Sequence, residues 1–425
     1  MRVAIVGTGI AGNVAAYHLN KSHDITVYEA GSYVGGHTNT VDVDTADGPL
    51  PVDTGFIVFN DRTYPNFIKL LDELGVDSHD SEMSFSVRRR RPSLEYNGSN
   101  LTGLFAQRRN LLRPSFLRMI RDILRFNREA TLLLAEGDTE TTLGEYLRRE
   151  HYSAEFAGHY LVPMGAAIWS AEPEMMEQMP AHFFIRFFHN HGLLSLDDRP
   201  QWRVITGGSR EYVKKLVAGH RDRIRLNCPV ESISRLPDRV IVRPHGLPAE
   251  EYDAVFLACH SDQALRLLAD PSRDERRVLG AIRYQYNEAV LHKDSSLMPS
   301  RPRAWASWNY RLPDNSRDRV TLTYHMNRLQ SLREQEQYFV TLNSSREIAA
   351  ESVIREIGYD HPVFTTEAVE AQQRKADIDG ANRTYYCGAY WRYGFHEDGV
   401  VSALSALQRF EQEEENAQQH LQRAS

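Results

Sequence analysis

The chain has 425 residues, of which 41% are apolar, 25% charged and 10% aromatic, and a formal net charge of −7. A length that suits about two or three domains and this composition together exclude collagen-like, low-complexity and wholly disordered chains. No apolar run reaches the ~20 residues of a spanning helix, a strand pattern begins at Arg2, and the small negative charge argues against nucleic acid as a partner; the expectation is a cytoplasmic protein without a membrane span or signal peptide.

Arg2 to Val6 predicts a short β-branched strand that ends in Gly7-Thr8-Gly9-Ile10-Ala11-Gly12. A helical pattern follows (Val14, Ala15, Leu19), and then a second strand from Asp24 that closes on Glu29. This is a complete βαβ opening. Gly7 allows the tight turn, Gly9 lets backbone approach a pyrophosphate, and Gly12 lets the helix lie close to the strand. The helix N-terminus at Ile10 and Ala11 offers unpaired N–H groups to phosphate, while Glu29 can accept hydrogen bonds from a ribose diol. Two further small-residue turns, Gly35-Gly36-His37 and Asp53-Thr54-Gly55-Phe56, point to a ligand that extends beyond ADP, and FAD is the longer and more enclosed dinucleotide.

Residues 64 to 76 predict an amphipathic helix stopped at Gly75, and Pro114 to Leu134 a longer one with Leu117, Ile120, Ile123, Leu124 and Phe126 on one side. Arg118, Arg121, Arg125 and Arg128 recur at three or four residues, along one stripe. They belong to a segment, Arg88–Arg128, with eleven arginines, no lysine and two acids, Glu95 and Asp122, so that it carries +9 against −16 for the remainder. Helices are expected to continue to about residue 195 through the aromatic stretch Phe183–Phe188. Strand signals return at Trp202–Thr206, with a helix after Gly207-Gly208-Ser209 through Val217. Ile224–Ile233 and Val240–Arg243 alternate as a strand pair, and Ala254–Cys259 is a continuous apolar run, as in a buried parallel strand. Val320–Tyr324 and Tyr338–Leu342 read as further strands, Tyr385–Ala389 as the last, and a helix is expected from Val400 to about His420. The fold class read from this order is α/β. A Rossmann-type FAD-binding domain is assembled from 1–60, 200–265 and 375–425. An α+β substrate domain takes 61–199 and 266–374, with a helical, arginine-rich part at about 88–195.

Gly7-x-Gly9-x-x-Gly12, Glu29, Gly35-Gly36, Val52-Asp53-x-Gly55, Leu226-Asn227-x-Pro229-Val230 and Gly388 followed by Glu397-x-Gly399-Val400 stand in an order that resembles the flavin-containing amine oxidoreductases. Met164–Ser170, Trp202–Tyr212 and Ala304–Tyr310 resemble a bacterial subgroup often encoded beside cyclopropane-fatty-acid-synthase-like methyltransferases. The resemblance implies a two-domain, amine-oxidase-like architecture. It further implies that Gly7, Gly9 and Gly12 hold the pyrophosphate, Glu29 the ribose and Val230 the adenine. Gly35, Gly36, His37, Thr54, Gly55 and Phe56 would line the ribityl and isoalloxazine side, and Gly388, Glu397 and Val400 would close the flavin end, where the Val400 helix start favours negative charge on reduced flavin. The sequence departs from the family at His37, where an arginine is usual, and at Phe395-His396, where amine oxidases place a cage tyrosine. Cys387 does not match the cysteine used for covalent attachment, so the flavin is expected to be non-covalent.

His182, His189 and His191, near Asp197 and Asp198, match no metal-ligand spacing, and no metal is expected. The three cysteines, Cys228, Cys259 and Cys387, form no CxxC pair and have no nucleophile constellation around them. His396, Glu397 and Tyr393 are the candidates for chemistry, with helix capping by Glu397 and Asp398 as the alternative. Tyr390, Trp391, Arg392 and Tyr393 could wall a substrate cavity. The function expected is transfer of hydride from an activated C–H bond to flavin on a lipid-like acyl or isoprenoid chain, as desaturation or isomerisation, with oxygen or a quinone-like acceptor. The alternatives are an amine oxidase that produces hydrogen peroxide, and a non-redox FAD-binding isomerase or structural module. The Arg88–Arg128 segment either meets an anionic membrane at its inner face or forms salt bridges within the fold. The sequence leaves the oligomeric state open.

Overall fold

Alternation along Arg2–Val6 sends Val3 and Ile5 to one side and Ala4 and Val6 to the other, which is what a strand covered on both faces requires. The computed structural model describes residues 1–195, 197, 199–312 and 321–424. In it, Arg2–Val6 is the middle strand of a five-stranded parallel sheet in the order Ile224–Arg225, Asp24–Tyr28, Arg2–Val6, Ala254–Leu257, Thr384–Tyr386. Val3 and Ile5 pack with helices Ile10–Leu19 and His396–Ala424. Ala4 and Val6 pack with an antiparallel sheet of Val230–Arg235, Val240–Pro244 and Glu250–Tyr252.

The second body is a seven-stranded sheet in the order Val353–Val363, Arg283–His292, Phe339–Leu342, Thr321–His325, Trp308–Arg311, Phe85–Arg89, Leu94–Asn97. Its neighbours are antiparallel except for the pairing of Trp308–Arg311 with Phe85–Arg89. Helices between Pro114 and Asn190 cover it and share its apolar core. Two small sheets, the hairpin Thr40–Thr45/Gly48–Asp53 and the trio Phe59–Asn60, Trp202–Ile205, Ser78–Asp80, join the bodies.

Several sequence expectations are corrected here. The stretch from residue 88 is not helical at its start: Phe85–Arg89 and Leu94–Asn97 are strands, because Val87 and Tyr96 are buried and pair into the large sheet. The apolar side of Pro114–Glu136 is formed by Phe116, Met119, Phe126, Ala130 and Leu133, whereas Leu117 and Leu124 point outward. Helix Pro65–Leu74 packs Phe67, Leu70 and Leu71 into the nucleotide-side core, which moves the boundary at 61. Helices Arg273–Ala281 and Thr366–Gln372 likewise pack beneath the parallel sheet, which moves those at 265 and 375. Ile224–Arg225 and Val230–Arg235 are two strands in different sheets, and the last helix begins at His396, one turn before Val400. Asp198 and Val320 lie outside the described residues.

A buried ion pair fastens the lower layer. Arg235 and Glu275, each with a side chain 1% exposed, meet at 2.5 Å, and the Tyr386 hydroxyl donates to the same carboxylate at 2.5 Å. Arg235 also reaches Asp270 at 3.0 Å, so loss of Glu275 leaves it one carboxylate partner. Glu275→Gln is expected to lower the unfolding free energy by about 1–3 kcal/mol in urea titration; a loss of about 3–5 kcal/mol, the size of a fully broken buried pair, would show that Asp270 does not hold the Arg235 charge.

Candidate functional site

The carboxyl ends of the parallel strands open into one cavity of about 850 Å³, at the place where an α/β sheet accepts its ligand. Gly7, Thr8, Gly9, Ile10 and Ala11 line it after the first strand, Glu29 after the second, Cys259 and His260 after the fourth, and Gly388 after the fifth. A side chain at Gly12 would collide with the carbonyl of Gly7, so only glycine lets the helix begin where it does. A Cβ at Gly9, by contrast, would meet nothing within 4 Å, because that position faces the open cavity. Glu29 is held by Thr8 N–H at 2.9 Å, the Thr8 hydroxyl at 2.5 Å and Gly31 N–H at 2.7 Å, and its carboxylate borders the same space. Gly35, Gly36, His37, Gly55, Phe56 and Val230 complete this half.

His37 is half-buried, with its buried Nε2 unpartnered. Its ring stacks on Tyr359 at 4.8 Å and lies 5.2 Å from His361 and 6.2 Å from His260. Burial first, and the neighbouring imidazoles second, hold His37 well below the usual histidine range; burial lowers His260 and pushes His361 down to about 4. His37 is therefore a neutral imidazole with one free ring nitrogen. The open face at Gly9, the spare acceptor capacity of Glu29 and the free Nε2 of His37 together fit a dinucleotide with a pyrophosphate and a polyol arm.

The other half of the cavity is aromatic and aliphatic, with Tyr160, Ile168, Trp169, Phe187, Trp308 and Tyr324 among its walls. Tyr393 belongs to it: its ring lies 4.6 Å from Phe183, and its carbonyl accepts from Trp169 Nε1 at 3.1 Å. His396 borders the cavity with its ring flat on Phe56 at 3.5 Å. Its Nε2 is taken up by Thr38 Oγ1 at 2.9 Å and Tyr212 OH at 3.0 Å, and burial pushes its pKa down to about 3. It is a neutral positioning group.

Four residues that the sequence singled out fall away from the cavity. Glu397 accepts from Asn66 N–H at 3.1 Å, Asn66 Nδ2 at 2.6 Å and Phe67 N–H at 2.9 Å, which caps helix Pro65–Leu74. Asp398 accepts from Phe395 N–H at 2.9 Å, and burial raises its pKa to about 6. Val400 is buried in the sheet core, and Thr54 is tied to Asn39 O at 2.9 Å and Tyr359 OH at 3.0 Å; neither lines the cavity. Tyr390 lines it with Tyr393, whereas Trp391 packs beneath the sheet. His191 stacks on Phe187 at 3.8 Å and His182 faces Arg186 at 3.0 Å, so these rings do not converge. The sequence reading missed His260, Tyr359, His361 and Arg199. His260 directly follows the apolar run Ala254–Cys259, a signal that was available; Tyr359 and His361 lie among charged neighbours on a strand without an apolar pattern.

A family model described as flavin containing amine oxidoreductase matches residues 10–291. Among solved structures, putrescine oxidase bound to putrescine superposes with a TM-score of 0.67 at 17% identity over 96% of this chain and 99% of that one. Cyclohexylamine oxidase from Brevibacterium oxydans IH-35A gives 0.70 at 15%, over 96% and 99%. A CLA-producing fatty acid isomerase from P. acnes gives 0.70 at 16%, over 96% and 98%. At these identities the likeness is one of fold. No curated relative matches by sequence.

Two substitutions separate the roles assigned here. Gly9→Val fills the open face and is expected to yield folded protein without bound flavin, read from the visible absorption band and circular dichroism. Glu397→Gln is expected to keep the flavin and the turnover within about twofold while lowering stability by about 1–2 kcal/mol, the size of a lost helix cap; a collapse of turnover in a stable, flavin-loaded variant would return Glu397 to the chemistry.

Proposed function

The chain belongs to the flavin-containing amine oxidoreductase family and is an FAD-dependent oxidoreductase, and from that premise we propose that its substrate is an acyl chain with an anionic head, desaturated or isomerised at an activated C–H bond. The observation that carries this reading is the make-up of the substrate half of the cavity. Its walls are apolar and aromatic, and the acids among the described lining residues, Glu29 and Asp360, both belong to the nucleotide half. An ammonium substrate finds no carboxylate there. Arg199, exposed and without an ion-pair partner among the described residues, borders that half beside Tyr160; its Nε donates to Ser195 O at 3.0 Å, which leaves the terminal nitrogens for a carboxylate.

Bound FAD supplies the hydride acceptor. The chain's own part is to bind, orient and dry the substrate. Trp169, Phe187 and Tyr393 form a continuous wall from which water is excluded, with ring centroids 4.7 Å apart for Trp169 and Phe187 and 5.4 Å for Phe187 and Tyr393. His396 stays uncharged under Phe56 and donates or accepts within its own triad of Thr38 and Tyr212, so the face of the cavity next to it carries no mobile proton at neutral pH. A site without a strong acid or base suits a reaction governed by geometry and desolvation. The fatty acid isomerase that shares the fold supports an acyl chain as a possible occupant of this architecture.

Non-covalent retention of the cofactor is part of the same reading. Cys259 borders the cavity, but burial pushes its thiol up to about 12, so it holds its proton, and Cys387 is sealed in the sheet core.

The expected outcome of anaerobic mixing with unsaturated and saturated fatty acids is bleaching of the flavin band for desaturation, or product without lasting bleaching for isomerisation. Arg199→Gln is expected to raise KM for the acid at least about tenfold, the cost of one charge-assisted contact, while the methyl ester is bound equally by both forms. Hydrogen peroxide formed at enzyme-like rates from polyamines or monoamines, with no response to fatty acids, would overturn the reading in favour of amine oxidation. Heat denaturation is expected to release intact FAD into the supernatant.

A further inference from the structure

The arginine-rich segment divides into an inward and an outward part. Arg88 pairs with the buried Glu95 at 3.9 Å, Arg89 meets His159 at 3.1 Å, Arg109 and Arg113 both donate to Ser93 O at 2.8 Å, and Arg125 joins Glu129 at 2.7 Å and lies over the Tyr152 ring. These arginines serve the fold. Arg108, Arg118 and Arg128 are exposed and have no ion-pair partner among the described residues; Arg121, exposed beside them, reaches Asp122 at 3.3 Å.

The leucines of the same segment are the unusual feature. Of the exposed large apolar side chains among the described residues, half lie between Leu101 and Leu132, with Leu101 75% and Leu112 87% exposed. On helix Pro114–Glu136, at about 100° per residue, Leu117, Arg121, Leu124, Arg128 and Leu132 fall on one stripe, opposite the stripe of Phe116, Met119, Phe126, Ala130 and Leu133 that the core takes up. The outward stripe thus alternates leucine with arginine and contains no acid; Glu129 and Glu136 flank it. A water-facing helix pairs both signs of charge and avoids leucine, and a protein interface of this kind would seldom interleave so many like charges.

This face also borders the way into the cavity. Leu94–Asn97 leads into Gly98 and Ser99, which are exposed and line the substrate half, and Asn100 then caps the short helix Leu101–Leu104 through a bond to Gly103 N–H at 2.8 Å. Tyr96, whose hydroxyl donates to His159 O at 2.6 Å, lines the same cavity as Tyr160 and Arg199. Of the other exposed lining residues, Ala30, Tyr33, Pro229 and Arg266 lie at the nucleotide end, and Gly358 lies on strand Val353–Val363 next to Tyr359.

We propose that the Leu101–Leu132 face docks on an anionic lipid bilayer, with its leucines in the acyl boundary and Arg108, Arg118, Arg121 and Arg128 among the headgroups, so that the cavity mouth at Gly98 and Ser99 opens against the membrane. Each basic residue at such a surface adds a similar increment of attraction, and the exposed leucines add apolar burial that no soluble polyanion offers. The docking stands on this surface alone; only the delivery of a chain through the mouth rests on the acyl-substrate reading above.

The test uses flavin-loaded protein without substrate and co-sedimentation with vesicles of phosphatidylcholine, alone or mixed with phosphatidylglycerol. Binding is expected to the mixed vesicles only and to fall with salt. Each of Arg118→Gln, Arg121→Gln and Arg128→Gln is expected to weaken it about fivefold, and L117S/L124S to weaken it further at unchanged flavin content. R276Q/R277Q, which removes exposed charge elsewhere, is expected to leave it unaltered. Equal binding to both vesicle types, binding to neither, or insensitivity to the leucine changes would overturn the proposal. So would a concentration-dependent dimer in sedimentation velocity that the same leucine changes dissolve, because the face would then belong to a second copy of the chain. Since no turnover is read, failure of the acyl-chain reading leaves this result standing.

Discussion

The cavity depends first on how closely the Ile10–Leu19 helix lies against the end of the strand before it. That distance is set by the absence of side chains: one at Gly12 would run into the carbonyl of Gly7, and one at Gly399 would come within 2.5 Å of Ile10 Cγ2. With both helices drawn in, the N-terminus of Ile10–Leu19 sits at the mouth of the parallel sheet, and His396 at the start of the last helix reaches Phe56 and Thr38. The first helix then offers its free N–H groups where a phosphate can use them. Glu397 fixes the same arrangement from the outside by capping Pro65–Leu74, which adds that helix to the nucleotide-side core. One steric constraint thus positions elements more than three hundred residues apart.

The electrostatic character of the site follows from its depth. His37, His260, His361 and His396 all have depressed pKa values through burial, and Asp53 and Asp398 are raised to about 6 by the same cause. Low-dielectric surroundings penalise the charged form of each group. The imidazoles around the cavity therefore remain uncharged near neutrality, whereas Asp53 and Asp398, at about 6, are largely ionised there and stand outside the lining; the charged residues of the lining are Glu29, Asp360 and Arg266 in the nucleotide half and Arg199 in the other.

The large sheet gives the substrate half its walls and also explains how a strongly basic segment is accommodated. Its edge strand Leu94–Asn97 carries Glu95, which collects Arg301 at 2.7 Å as well as Arg88. Charge neutralised in this way contributes to the fold and is not available to a partner. The arginines on the outer stripe of Pro114–Glu136 are not neutralised in the same way, and the apolar residues between them are the ones the core rejected.

Local order was legible wherever neighbours in sequence are neighbours in space. The strand, glycine turn, helix and Glu29 of the opening, the parallel strand at Ala254–Leu257 and the helix stopped at Gly75 all rest on short-range periodicity and backbone sterics, which a sequence displays directly. The hairpin Phe85–Arg89/Leu94–Asn97 could not be read among arginines, because what makes it part of a sheet is Trp308–Arg311, which pairs with Phe85–Arg89 from over two hundred residues away. The outward direction of Leu117 and Leu124 was hidden for a related reason: both stripes of Pro114–Glu136 contain apolar residues, and only the packed sheet and helices decide which stripe is covered. Glu397 shows the same division. Its place beside the glycine motif suggested chemistry, but which N–H groups its carboxylate meets is set by where helix Pro65–Leu74 ends up. The sequence by itself determined the dinucleotide cradle, because that cradle is built from backbone and glycines within the first thirty residues. Tertiary structure alone decided the walls of the substrate half, the company of His37 and the outer face of the arginine helix, because each is made by side chains that meet only when the two sheets close on one another.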